Sequence, residues 1–185
     1  MSTGRFDRAI AAIDAANAED PAGRESRDAM LAAEWVGRLR PDASEALLLA
    51  TRAHHIRRWK IPRHTYPDGR TGYLRWRRAL HDHHAAETAR ILEEHGYDAA
   101  TIARTGEIIH KLDLAHDADV QALEDALCLV FLETQFDDLA ARLEENKMVD
   151  VLRKTLRKMS AQGKSVALGM KLSTSGRALL ERALS

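Results

Sequence analysis

The stretch Asp119-Val-Gln-Ala-Leu-Glu-Asp-Ala-Leu-Cys-Leu-Val-Phe-Leu-Glu133 decides the fold class. Val120, Leu123, Leu127 and Val130 recur at intervals of three and four, which lines up side chains on one helix face and scrambles them on a strand. The apolar run inside it, Ala126 to Leu132, is far too short to cross a bilayer, so no membrane partner is expected.

The same periodicity continues on both sides. Towards the C-terminus, Met148, Leu152, Leu156 and Met159 mark a helix with Gly163 as its stop, and Ser173 or Ser175 can start a short last one. Upstream, Asp98 is placed to cap a helix carrying Ile102, Ile108 and Ile109. Before it a long helix runs from about Tyr73 to His95 and ends at Gly96. All four prolines (Pro21, Pro41, Pro62, Pro67) lie in the first 67 residues, and they punctuate rather than interrupt. Phe6, Ile10 and Ile13 read as a first helix ended by Asp20-Pro21. Leu31, Trp35 and Leu39 belong to a second, stopped by Pro41. Asp42 to Glu45 has capping-box spacing and opens a third through Leu47 and Leu48 towards His55. The pattern breaks around Asp113 to Asp119, and Trp59 to Gly72 lacks periodicity, with Pro67-Asp68-Gly69 as a turn. The expectation is an all-α, single-domain bundle of about seven or eight helices; 185 residues suit one core.

Lys+Arg and Asp+Glu both number 28, a formal net charge of zero that argues against a uniformly basic nucleic-acid binder. The charges are sorted, however. Arg52 to Leu80 carries nine basic residues and one acid, a net +8. Asp113 to Glu145 has ten acids against Arg142, a net −9, and Lys147 to Ser185 returns to +7. Such blocks can pair internally or form solvated faces. They can also build a basic groove, and Trp59, Tyr66, Tyr73 and Trp76 lie among the arginines of the first block. RNA or a small phosphorylated ligand fits that groove; anchoring the loop to the core fits the aromatics equally. The single Cys128 excludes an internal disulfide framework, and the N-terminus lacks the pattern of a secretory signal. A cytoplasmic protein is expected.

Nine histidines are a rich supply, and they cluster as His54-His55 and His81-Asp82-His83-His84, with His110 further on. His81 and His84 share a helix face while His83 points elsewhere. Imidazoles and carboxylates converging from separate helices are one way to bind a divalent metal, although most helical histidines serve packing or solvation.

Leu47-Leu-Leu-Ala-Thr-Arg-Ala-His-His-Ile56 resembles the apolar helix that carries the His-Asp dyad of HD-domain metal-dependent phosphohydrolases. Asp119 to Glu133 resembles that superfamily's later aspartate-bearing helix, and Ile108-Ile-His-Lys111 the block before it. His55-Ile-Arg-Arg-Trp-Lys-Ile-Pro-Arg63, Gly72-Tyr-Leu-Arg-Trp-Arg77 and the Leu123-Glu-Asp to Leu132-Glu block more closely resemble an uncharacterised, HD-like bacterial family of this length, known as a domain of unknown function.

The resemblance implies a metal set of Glu34, His54, His55, His84 and Asp125. His54 stands in the dyad's histidine position and His55 in its aspartate position, Glu34 where a first histidine would be. It further implies Asp125, Glu124 and Lys111 as catalytic residues, and Arg57, Arg58 and Arg63 as a clamp for phosphate. A bound Mn, Fe, Ni or Zn would then serve hydrolysis of a phosphorylated small molecule or nucleotide. The alternative is a non-catalytic module that binds an anion, nucleotide or RNA through the arginine-rich segment 57–78.

Overall fold

The computed structural model describes residues 4–184. They form α1 (Arg5–Ala18), α2 (Glu25–Leu39), α3 (Glu45–Ala53), α4 (Gly69–Glu94), α5 (Ala99–His110), α6 (Ala118–Thr134), α7 (Phe136–Ala140), α8 (Glu145–Lys158), α9 (Ala161–Gly169) and α10 (Thr174–Leu184). Among the described residues there is no strand, and the all-α class is established. Residues 1–3 of the N-terminal segment read above, and Ser185, lie outside the described residues. No helix is long and apolar enough to cross a membrane among the described residues.

α6 organises the rest. Ten of its seventeen residues are buried, on every side of the helix rather than along one stripe. A helix apolar all round is stable only when surrounded, and α2, α3, α5, α7, α8 and α9 all pack on it. α1 covers α2 and α3, α4 lies along α5, and α10 closes on α8. One connected apolar core runs from Ala9 in α1 to Leu180 in α10. Asp117 fixes where α6 begins: its side chain caps the Asp119 and Val120 amides while Arg104 of α5 grips the same carboxylate at 2.6 and 2.8 Å.

Among the described residues the ten α-helices exceed the expected seven or eight through two short additions, α7 and α9. Gly163 does not stop α8. That helix ends at Lys158, and Gly163 sits in α9 with its Cα face against Asp125, where a Cβ would meet the carboxylate at 2.6–2.9 Å. The residue whose side chain caps α3 is Ser44, which accepts from the Leu47 amide; Asp42 pairs with Arg40 instead. α4 starts at Gly69, four residues before the expected Tyr73, because the turn at Pro67 folds straight into it. The Pro67 carbonyl lies against Gly72, leaving no room for a Cβ there.

The aperiodic segment after α3 is held by its aromatics. Trp76 is buried and its Nε1 donates to the Ile61 carbonyl at 2.9 Å, with the Arg58 guanidinium 5.1 Å above its ring. This anchoring turns Arg58 inward, beside His54 and His55 at the end of α3.

Candidate functional site

α3, α4, α5, α6 and α8 surround a cavity of about 220 Å³. Its walls carry His54, His55 and Arg58 from the end of α3 and the turn after it, and Arg77, His81 and His84 from α4. Lys111, Glu124 and Lys158 face it from the other side. Four cations (Arg58, Arg77, Lys111, Lys158) thus meet two carboxylates, Glu124 and Asp28.

Both guanidiniums are partnered by neutral imidazoles. Arg58 Nη1 lies 3.2 Å from His55 Nε2, and Arg77 Nη2 lies 3.4 Å from His81 Nε2. Arginine can only donate, so in both pairs the imidazole nitrogen accepts. Burial, then the Arg77 charge, holds His81 down at about 4, and burial, then Arg58, keeps His55 well below the ordinary imidazole range. Among the described residues no carboxylate oxygen lies within 4.0 Å of either guanidinium, although every other ion pair of the +8 block, at Arg52 and Arg57, is made with a carboxylate. Burial lowers Arg58 from the usual guanidinium value. Glu25 offsets part of the cost at Arg58 from longer range, and a half-buried cation without a carboxylate in contact is stabilised when an anion joins it.

The tautomers follow from the remaining bonds. His54 Nδ1 is 2.8 Å from the Thr51 carbonyl and His84 Nδ1 2.8 Å from the Ile56 carbonyl. A carbonyl only accepts, so each Nδ1 carries the proton and each Nε2 keeps its lone pair. His84 is 1% exposed, its Nε2 has no hydrogen-bond partner, and burial pushes it down to about 3. His55 points Nδ1 at Glu25 Oε2, 3.3 Å away but out of hydrogen-bond alignment, so that oxygen too is buried without a partner. Burial raises Glu25 above the usual carboxylate value.

On the opposite wall Glu124, 3% exposed, bridges Lys111 and, at 3.3 Å, Lys158. Burial works to raise Glu124, but the two ammonium groups outweigh it and hold the carboxyl below its ordinary value. Burial also lowers Lys111. Lys111 reaches this position by ending α5 in the left-handed region, φ 58°. Cys128 lies one turn along α6 from Glu124, buried, with burial and then the Glu124 charge pushing its thiol up to about 12. It is an inert wall residue rather than a nucleophile.

The family model for a domain of unknown function, DUF4202, matches residues 7–180. The chain belongs to the DUF4202 family. No curated protein and no solved structure matches the chain.

In this DUF4202 chain the residues expected at the site divide into two groups. His54, His55, His84, Arg58, Lys111 and Glu124 come together around the cavity. Glu34 does not: its side chain is 58% exposed and faces Arg38 at 3.9 Å. The carboxylates that α2 brings to the cleft are Glu25 and Asp28, nine and six residues earlier, about 13 and 9 Å along the helix. Asp125 also turns away. It accepts from the Ser160 amide at 2.8 Å, the Ser160 hydroxyl at 2.5 Å and Gln121 at 3.0 Å, which ties α6 to the start of α9. Among the described residues no three of His, Cys, Asp and Glu are placed to hold a metal ion, so the expected five-residue metal set does not form as placed.

The expected phosphate clamp is similarly reduced to one member. Arg57 is held by Glu19 at 2.8 Å and Glu87 at 2.6 Å, fastening the turn to the end of α1 and to α4. Arg63 donates to the Tyr66 carbonyl at 2.8 Å and does not line the cavity. The acidic block 113–145 pairs with the C-terminal basic block, through Lys158–Glu124, Lys147–Glu144 and Arg182–Glu145, whereas among the described residues no ion pair joins it to a cation of 52–80. Sequence reasoning missed Arg77 and His81 as a pair, Glu25, and Lys158. The first was findable, since Arg77…His81 has the (i, i+4) spacing of helix neighbours. Lys158 gave no local signal.

Proposed function

We propose that this DUF4202 protein binds a phosphorylated small molecule or nucleotide, with its phosphate seated between Arg58 and Arg77. The observation that carries the reading is the pairing of both guanidiniums with neutral imidazoles instead of carboxylates. Each arginine keeps its full charge and spare N–H groups for a ligand. Guanidinium matches phosphate in shape and can contact it bidentately. Lys111 and Lys158 add positive potential behind it, partly offset by Glu124. Calorimetric titration with inorganic phosphate tests this. Wild type is expected to bind, and Arg58→Ala and Arg77→Ala each to weaken binding by roughly tenfold or more, the value of a charge-assisted hydrogen bond. Equal binding by all three proteins contradicts the reading.

A second reading, metal-dependent phosphohydrolysis of the HD type, is favoured by one observation. His54 and His84 commit Nδ1 to backbone carbonyls, which leaves Nε2 as metal-ligating histidines present it, and the Nε2 of His84 is buried and unpartnered. The rings of His54 and His55 lie 4.2 Å apart and those of His55 and His84 5.8 Å. This reading requires their nitrogens to close on one ion. Elemental analysis decides it: Mn, Fe, Ni or Zn near one per chain, lost in His84→Ala, supports it. Protein that stays metal-free after incubation with each ion contradicts it.

A further inference from the structure

A second, larger chamber opens beside the first. Its volume is about 530 Å³, and Asp28, His55, Arg58, Phe131 and Gln135 line both. The two form one cleft with an inner and an outer part. The outer part alone is in the range of small-molecule sites, roughly 300–1,000 Å³, and the inner falls below it. The inner part therefore suits a phosphate group, and the outer part the body that carries it.

The charges of the two parts differ. The inner wall carries an excess of cations. Arg58 is shared with the inner part; the remaining arginines of the outer part, Arg24, Arg27 and Arg142, are matched in number by Glu25, Asp28 and Asp138, and Thr134 and Gln135 add neutral polar groups. A second phosphate placed there would meet three carboxylates, and an alkyl chain would strand them against apolar surface. Glu25 borders the same space, its Oε2 buried with only the Nδ1 of His55 near it, 3.3 Å away and out of alignment. Ionised carboxylate oxygens only accept, so this part favours a body rich in hydroxyl donors over a fully ionised phosphate ester, which has none. Phe131 presents a ring to the same space, against which the C–H face of a sugar can pack.

We infer that the ligand is a phosphate monoester of a neutral, hydroxylated ring: a sugar phosphate, free or as the ribose phosphate of a nucleotide. The phosphate occupies the inner part, and hydroxyl groups donate to Glu25 and to Asp28 or Asp138 in the outer. This rests on the phosphate site proposed above and adds the identity of the body attached to it.

Calorimetry with inorganic phosphate, n-butyl phosphate, ribose 5-phosphate and AMP tests the inference. Ribose 5-phosphate is expected to bind at least tenfold more tightly than either inorganic or butyl phosphate. Glu25→Gln and Asp138→Ala are each expected to remove most of that preference, read as the ratio of ribose 5-phosphate to inorganic phosphate affinity within the same variant. Asp138 is exposed, so its replacement does not endanger the fold. AMP tighter than ribose 5-phosphate assigns the ring to a nucleotide; AMP equal or weaker assigns it to a free sugar phosphate, and both support the inference. Butyl or inorganic phosphate binding as tightly as ribose 5-phosphate overturns it while the phosphate site stands. No binding of any of the four overturns both.

Discussion

The Arg58 guanidinium donates to His55 Nε2 at 3.2 Å, and this single bond sets the protonation of the cleft. Because the arginine supplies the proton, His55 must be neutral and must turn its own N–H towards Glu25. The positive charge consequently sits on a group that cannot release it, next to a base that cannot take up a proton without repelling it. Arg77 and His81 repeat the arrangement from α4. An anion entering the cleft meets two fixed cations rather than a titrating one.

Two adjacent arginines should respond oppositely to removal. Arg57 is held by two carboxylates, and Arg57→Ala is expected to cost about 1 kcal/mol, roughly 2–4 °C in Tm, with phosphate binding unchanged. Arg58 lacks a carboxylate, and Arg58→Ala should leave Tm unchanged or higher while binding falls. Thermal melts with and without phosphate distinguish the two.

Acid should destabilise the protein through its buried histidines. His84 stays neutral in the folded chain down to about 3, and His81 down to about 4, whereas both titrate near 6.5 when unfolded. Between those values the unfolded chain binds more protons. Stability is complete above 6.5 and is lost as the pH falls below it. Chemical denaturation at pH 7.5, 6 and 5 should show that decline, and His84→Gln should flatten it.

Asp125 is a structural anchor here, with three accepted hydrogen bonds to α9 and to its own helix. Asp125→Ala is expected to lose about 2 kcal/mol, since it leaves the half-buried amide and hydroxyl of Ser160 without their acceptor. Gly163→Ala should destabilise in the same direction by forcing its Cβ against that carboxylate. Denaturant midpoints measure both; phosphate affinity in folded Gly163→Ala should match wild type.

Lys111 combines a strained backbone with a buried ion pair, and two substitutions separate them. Lys111→Gly and Lys111→Ala both remove the partner of Glu124, but only glycine relieves the left-handed φ of 58°. The glycine variant should be more stable than the alanine variant by roughly 1 kcal/mol. Equal stabilities would mean that α5 ends differently without the lysine.

The fold was legible where periodicity and burial agree. Val120, Leu123, Leu127 and Val130 mark α6, and that helix is buried nearly all round. The two short helices were not, since α9 depends on Ser160 and Gly163 meeting an aspartate 35 residues away. The site was legible as a cluster of residue types and not as a set of partners. His54, His55, His84, Arg58, Lys111 and Glu124 do converge, but α2 presents Glu25 and Asp28 rather than Glu34. That choice depends on how far α2 slides along α6, which spacing within one helix cannot reveal. Arg57 and Arg58 are chemically identical neighbours; only the positions of Glu19, Glu87 and Trp76 separate a fastening from a free charge.

The most direct test is anomalous diffraction from crystals soaked in tungstate, a dianion with the shape of phosphate. The expected result is one strong peak inside the cleft, within hydrogen-bonding reach of both Arg58 and Arg77 and absent from Arg58→Ala crystals. A cleft without a peak at saturating tungstate, or peaks confined to the exposed basic faces of α8 and α10, would contradict the account.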